Sequence, residues 1–199
     1  MTEPAADNPH EDGHAGPDEA TALADTRRWL EKAVIGLNLC PFAKAVYVKD
    51  QVRLVFSDAT TPQQLIEQLG EELLQLRDTP AAQTDTTLLV HPYVLGDFLD
   101  YNDFLDQADA LVEALELDGV LQVASFHPDY RFADSEPDDI ENYSNRAPYP
   151  TLHLLREDSV SRAVDAYPEA DVIVERNYAT LRALGHDGWK ALFPARDAG

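Results

Sequence analysis

Cysteine is almost missing from this chain of 199 residues: there is one, Cys40. A single thiol excludes an internal disulfide framework, and with it the small secreted scaffolds that depend on such bridges. Positive charge is scarce as well. Only 15 Lys and Arg stand against 37 Asp and Glu, for a net charge of −22. Neutralising nucleic-acid phosphates needs a basic face, and so does attraction to anionic lipid. Neither nucleic acid nor a membrane is therefore expected as a partner. No apolar run approaches the roughly 20 residues of a membrane helix. The N-terminus shows neither a basic patch nor the apolar stretch of a secretory signal, so the expected location is the cytoplasm. Also missing are a Gly-x-Gly-x-x-Gly turn, a Walker-type loop, a Gly-x-Ser-x-Gly elbow, a Cys-x-x-Cys pair and a His-Glu-x-x-His helix. The sequence thus names no cofactor, and leaves open both whether its histidines and carboxylates ligate a metal and the oligomeric state.

What is present is enough apolar material for a core, at 44% of residues, arranged with helical and strand periods in alternation. Residues 1–22, rich in Glu, Asp, Pro, Gly and Ala, read as a disordered acidic tail, and 23–195 as one α/β domain. A first helix is expected from about Asp25 to Leu37, ended near Pro41. Val52 to Phe56 alternates as a strand. Pro62, following Thr61, is suited to the first position of a helix running to Leu76. Thr86 to Val90 reads as a strand, Asp97 to Leu117 as an amphipathic helix, Val120 to Phe126 as a strand, and Thr151 to Leu155 as a fourth. Helices at 159–166 and 171–184 close the pattern, the second ending at Gly185. This alternation predicts βαβ units in a mostly parallel or mixed four-stranded sheet with flanking helices.

Parallel connection would place the C-terminal strand ends on one edge, where open α/β sheets bind ligands. Two of those ends carry the same dipeptide, His91-Pro92 and His127-Pro128. If the two strands are neighbours, both imidazoles face one crevice. The polar stretch 129–150 leaves from the same edge and is long for a compact domain, a length associated with function. It brings Arg131, Asp139, Asn142, Asn145 and Arg146 within reach, and the fourth strand adds His153, Arg156 and Glu157. Arg holds carboxylate or phosphate bidentately, and His titrates near neutrality. The expected site therefore pairs His127 and His153, with Glu157 or Asp139 orienting them, with an Arg cluster for a small anionic ligand. Arg131, Arg146, Arg156, Asn142, Asn145 and His91 would line it. Ordinary ion pairs and strand-ending hydrogen bonds fit the same residues. Cys40 is an optional nucleophile if a helix starts at Pro41, and a small buried apolar residue otherwise.

Three blocks together resemble a known family: Asn38-Leu39-Cys40-Pro41-Phe42, Gln122 through Pro128, and Asn145 through Glu157. They are similar to the bacterial domain-of-unknown-function family 1415, over about residues 25–185. The resemblance implies a bacterial, cytoplasmic protein and carries no catalytic roles with it. The matching polar residues are Cys40, His127, Asn145, Arg146, His153, Arg156 and Glu157. An enzyme acting on a small anionic metabolite is the first expectation; a ligand-binding or partner-docking module without catalysis is the alternative.

Overall fold

Residues 16–167 and 170–194 are described by a computed structural model; residues 1–15 of the expected tail lie outside them. Helix formation starts earlier than periodicity suggests, because Asp18 accepts the amide of Thr21 and caps α1, Glu19–Trp29. The helix then widens into a π turn over Leu30–Ile35. It stops at Asn38, whose φ of 55° is the left-handed conformation Asn tolerates. A short helix α2, Ala43–Tyr47, precedes β1, Val52–Phe56. Thr61 caps α3, Pro62–Asp78, with Pro62 in the first turn. Strand β2 is Thr86–Val90, and Asp97 caps α4, Phe98–Ala114, by accepting two amides. Strand β3 is Leu121–Phe126. A 3-10 turn, Ile140–Asn145, interrupts the following loop before β4, Thr151–Arg156. Helix α5, Glu157–Asp165, follows β4 directly. Helix α6, Ile173–Leu192, is kinked at Gly185, where φ is 64°. Gly185, non-helical in both φ and ψ, therefore ends the segment that starts at Ile173, as expected, and a second helical segment continues to Leu192.

The sheet is mixed, in the order β1-β2-β4-β3. β1 and β2 are parallel, and β4 is antiparallel to both β2 and β3. β1, β2 and β3 thus share one direction, as expected, but β2 and β3 are not neighbours, because β4 lies between them. With period 2 the register fixes two faces. One face carries Val55, Leu89, Leu152, Leu154, Leu121 and Val123 into a core with α3 and α4. There Leu65, Leu69 and Leu73, at helical spacing, are fully buried, each contributing about 1.5–3 kcal/mol. The opposite face carries Val52, Leu54, Leu88 and Phe126 against Trp29, Leu30, Val34 and, from α6, Leu181.

Arg156, at the end of β4, ties the sheet to the far end of α3. Its Nη2 donates to the carbonyls of Leu76 (2.6 Å), Thr84 (3.1 Å) and Thr79, and its Nε to Thr84. A guanidinium here satisfies carbonyls that the last helical turn leaves open and opposes the negative end of the helix dipole. Arg156→Gln and Arg156→Lys are both expected to lose on the order of 2–4 kcal/mol, since neither keeps the planar fork. A urea midpoint unchanged in both variants would contradict this assignment.

Candidate functional site

The inserted strand separates the three histidines. His91 and His127 follow β2 and β3 on the α4 face, at one edge, as the parallel direction of those strands requires. Tyr101 lies between them, with ring centroids 5.7 Å from His91 and 5.1 Å from His127. Both imidazoles belong to fully buried residues. His91 Nδ1 lies 3.1 Å from the carbonyl of Val94, so that nitrogen carries the proton. In His127 the amide of Asp129 donates to Nδ1 at 3.0 Å, and Nε2–H donates to the carbonyl of Leu95 at 3.2 Å. Two imidazoles thus hold one loop. That loop includes Leu95 at φ 58°, a conformation a branched side chain adopts only under outside constraint. His91 Nε2 is buried with no hydrogen-bond partner among the described residues. The pair acts as a strand-end anchor.

The polar loop is stapled internally rather than open to a ligand. Asn142 is buried at its centre. Its Oδ1 accepts from the Phe132 amide (3.1 Å) and the Ser135 hydroxyl (2.7 Å), and its Nδ2 donates to Glu136 O (2.8 Å). Asp139 accepts the Glu136 amide. Arg146 donates to the carbonyls of Tyr130 (3.2 Å) and Pro137 (2.6 Å), with its guanidinium carbon 4.3 Å from the Tyr143 ring centroid. Asn145 accepts from Ser144, and its carbonyl accepts the His127 amide. Arg131 is exposed and forms no ion pair among the described residues. Glu157 opens α5 instead of continuing β4, so it leaves the register of His153. The expected arginine cluster does not converge: Arg146 serves the loop, Arg156 serves α3 across the sheet, and Arg131 faces solvent.

His153 projects from the other face, and there the structure has a cavity of about 520 Å³. Leu88, Ala124, Phe126 and His153 form part of its floor. Trp29, Leu30 and Val34, from the end of α1 and the π turn, form one wall. Cys40 to Ala43 with Ala45 and Val46 form the second, and Val160, Ala163, Ala166 and Tyr167 of α5 and its exit form the third. The volume exists because the lining side chains are small: Ala43, Ala45, Ala124, Ala163 and Ala166 all face it. The rings of Phe42 and Tyr167 meet edge to face at 5.7 Å across the gap between α2 and α5. Arg176 holds the Tyr167 hydroxyl at 2.6 Å.

Few polar atoms line this space. Thr86 Oγ1 donates to the carbonyl of Leu154 at 2.6 Å, so it accepts from His153 Nε2–H at 2.7 Å. His153 Nδ1 is then a bare acceptor without a partner among the described residues. Burial of the ring lowers the His153 pKa to about 4 and keeps it neutral. Cys40 stands ahead of α2, where the amides of Phe42 and Ala43 point at its sulfur, but burial outweighs them and raises its pKa. Burial thus disfavours the thiolate, the form a nucleophile needs. Asp85 and Ser159 complete the polar set, the hydroxyl donating to Oδ1 at 2.7 Å. Of the expected residues, this cavity brings together Cys40 and His153. Sequence reasoning missed Asp85, Ser159 and the aromatic walls. The available signal was the alanines: Ala124 in mid-strand, and Ala163 and Ala166 one turn apart on an amphipathic helix. Among the described residues, no three His, Cys, Asp or Glu side chains group closely enough to hold a metal ion.

The three buried imidazoles make stability depend on pH. Desolvation lowers the pKa of His91 to about 4, of His153 to about 4, and of His127 below its usual 6.5. Unfolding lets each take a proton more easily, so their contribution is complete above pH 6.5 and is lost as pH falls toward 4. For His91 the difference corresponds to on the order of 3 kcal/mol. Thermal midpoints of the wild type are expected to fall more steeply across that window than those of His153→Gln or His91→Asn. Parallel curves for all three proteins would refute the linkage.

No curated protein and no solved structure matches the chain. Among protein families, the one described as "Protein of unknown function (DUF1415)" matches residues 21–191, which spans the whole sheet, the cavity and all six helices but for their outermost residues. The chain therefore belongs to the DUF1415 family.

Proposed function

We propose that the protein is a small-molecule-binding module whose ligand occupies the cavity between the sheet, α2 and α5. The single observation that carries this reading is the cavity itself. At about 520 Å³, with apolar walls and a handful of convergent polar atoms, it has the size and chemistry of a cofactor- or metabolite-sized site. Two of the residues expected from sequence, Cys40 and His153, line it. The alternative expectation, binding without catalysis, fits better than an enzyme acting on an anionic metabolite. Of the guanidiniums that would hold the anion, those of Arg146 and Arg156 are turned to backbone carbonyls and that of Arg131 faces solvent, while His91 and His127 hold a loop. His153 has its Nε2–H engaged by Thr86, and no carboxylate among the described residues orients it. The net charge of −22 and the free thiol of Cys40 support a ligand other than nucleic acid and a reducing, cytoplasmic setting.

The test is fluorescence titration with N-phenyl-1-naphthylamine, a neutral apolar dye whose emission rises on leaving water. The wild type is expected to bind it saturably with one site per chain. Ala124→Phe, which fills the floor of the cavity, is expected to weaken binding by at least about tenfold, a change of roughly 1.4 kcal/mol, while the protein remains folded by thermal unfolding. Equal binding by wild type and a folded Ala124→Phe would place the dye elsewhere and refute the proposal.

A further inference from the structure

We infer that the ligand is a lipophilic cation, with a ring-bearing apolar body over the sheet and a protonated amine at Asp85. The inference rests on the cavity being a small-molecule site. Among the described residues that line the cavity, Asp85 is the one formally charged side chain. It is half-buried just before β2, and among the described residues only one of its carboxylate oxygens is engaged by a side chain, the Ser159 hydroxyl at 2.7 Å. The cation nearest in the hydrogen-bond network, Arg162, reaches Ser159 Oγ at 3.0 Å rather than the carboxylate, and it does not line the cavity. The second carboxylate oxygen is thus left to accept from a ligand, and an ammonium is the donor that also balances its charge.

Two further features favour the same class. The aromatic walls Trp29, Phe42, Phe126 and Tyr167 suit an apolar, ring-bearing body, and Arg176, 5.6 Å from the Tyr167 ring centroid, shows a cation already drawn to one of those rings. The net charge of −22 raises the local concentration of cations and repels anions. Among the described residues, no Lys or Arg lines the cavity to reverse that preference. His153 Nδ1, a neutral acceptor on the floor, can take a second N–H or O–H from the ligand.

The experiment compares three competitors of one shape, 2-(1-naphthyl)ethylamine, 2-(1-naphthyl)ethanol and 1-naphthylacetic acid, by displacement of N-phenyl-1-naphthylamine from the full chain. The amine is expected to bind at least about tenfold more tightly than the alcohol, and the acid more weakly than either. The preference should persist at about 0.5 M salt, where the general field is screened but a half-buried pair is not. In Asp85→Asn, confirmed as folded by thermal unfolding, the amine-to-alcohol ratio should fall to about twofold or less. If the dye binds wild type but the amine shows no preference over the alcohol, or keeps its full preference in Asp85→Asn, the inference is overturned. If the dye does not bind wild type at all, the reading of the cavity as a binding site fails instead.

Discussion

Thr151–Arg156 pairs with two strands at once, each running opposite to it, and this antiparallel insertion sets the positions of most of the polar side chains. Three strands of common direction would otherwise bring His91 and His127 together on adjacent ends. With β4 between them, the two imidazoles are held apart by the width of a strand, and Tyr101 fills the gap. The same register turns Leu152 and Leu154 into the α3–α4 core and sends His153 to the opposite face. A shift by one residue would exchange those faces, placing a His among buried leucines.

The distribution of charge follows from the same architecture. Positive side chains are few, and two of the most central are used on backbone: Arg156 on the end of α3, and Arg146 on the loop that closes the sheet edge. Each meets more than one carbonyl through its planar fork, a role that Lys fills poorly. Among the described residues lining the cavity there is no Lys or Arg, while Asp85 is one of them. An anion would enter against both the local and the overall field, whereas a cation or a neutral molecule would not.

Much of the fold was legible in the sequence because its signals are local. Thr61-Pro62, Asp97, and the leucine spacing of α3 each specify an element within a few residues. Strand order was not, since alternation shows which residues share a face and not which strand lies alongside. The dipeptides His91-Pro92 and His127-Pro128 correctly marked strand ends at one edge, but the chemistry there depended on burial, which only the packing of α4 determines. Arginine was ambiguous for a related reason: a guanidinium pairs equally well with a carbonyl or an anion. The cavity was the least legible feature, because it is made by atoms that alanines lack. Cys40 and His153 stood out in the sequence, but nothing in it tied them to Asp85 or to the ring of Tyr167.

The central claim is that the space beneath α2 and α5 is where this protein meets its ligand. Backbone amide chemical shifts followed during titration with 2-(1-naphthyl)ethylamine test it most directly, because they report position independently of affinity. The account predicts perturbations centred on Phe42, Asp85, Ala124, His153 and Ala163, with the loop around Asn142 and the His91–His127 edge unmoved. Perturbations centred instead on Trp189, Phe193 and Arg146, or on the His91–His127 edge, would contradict it.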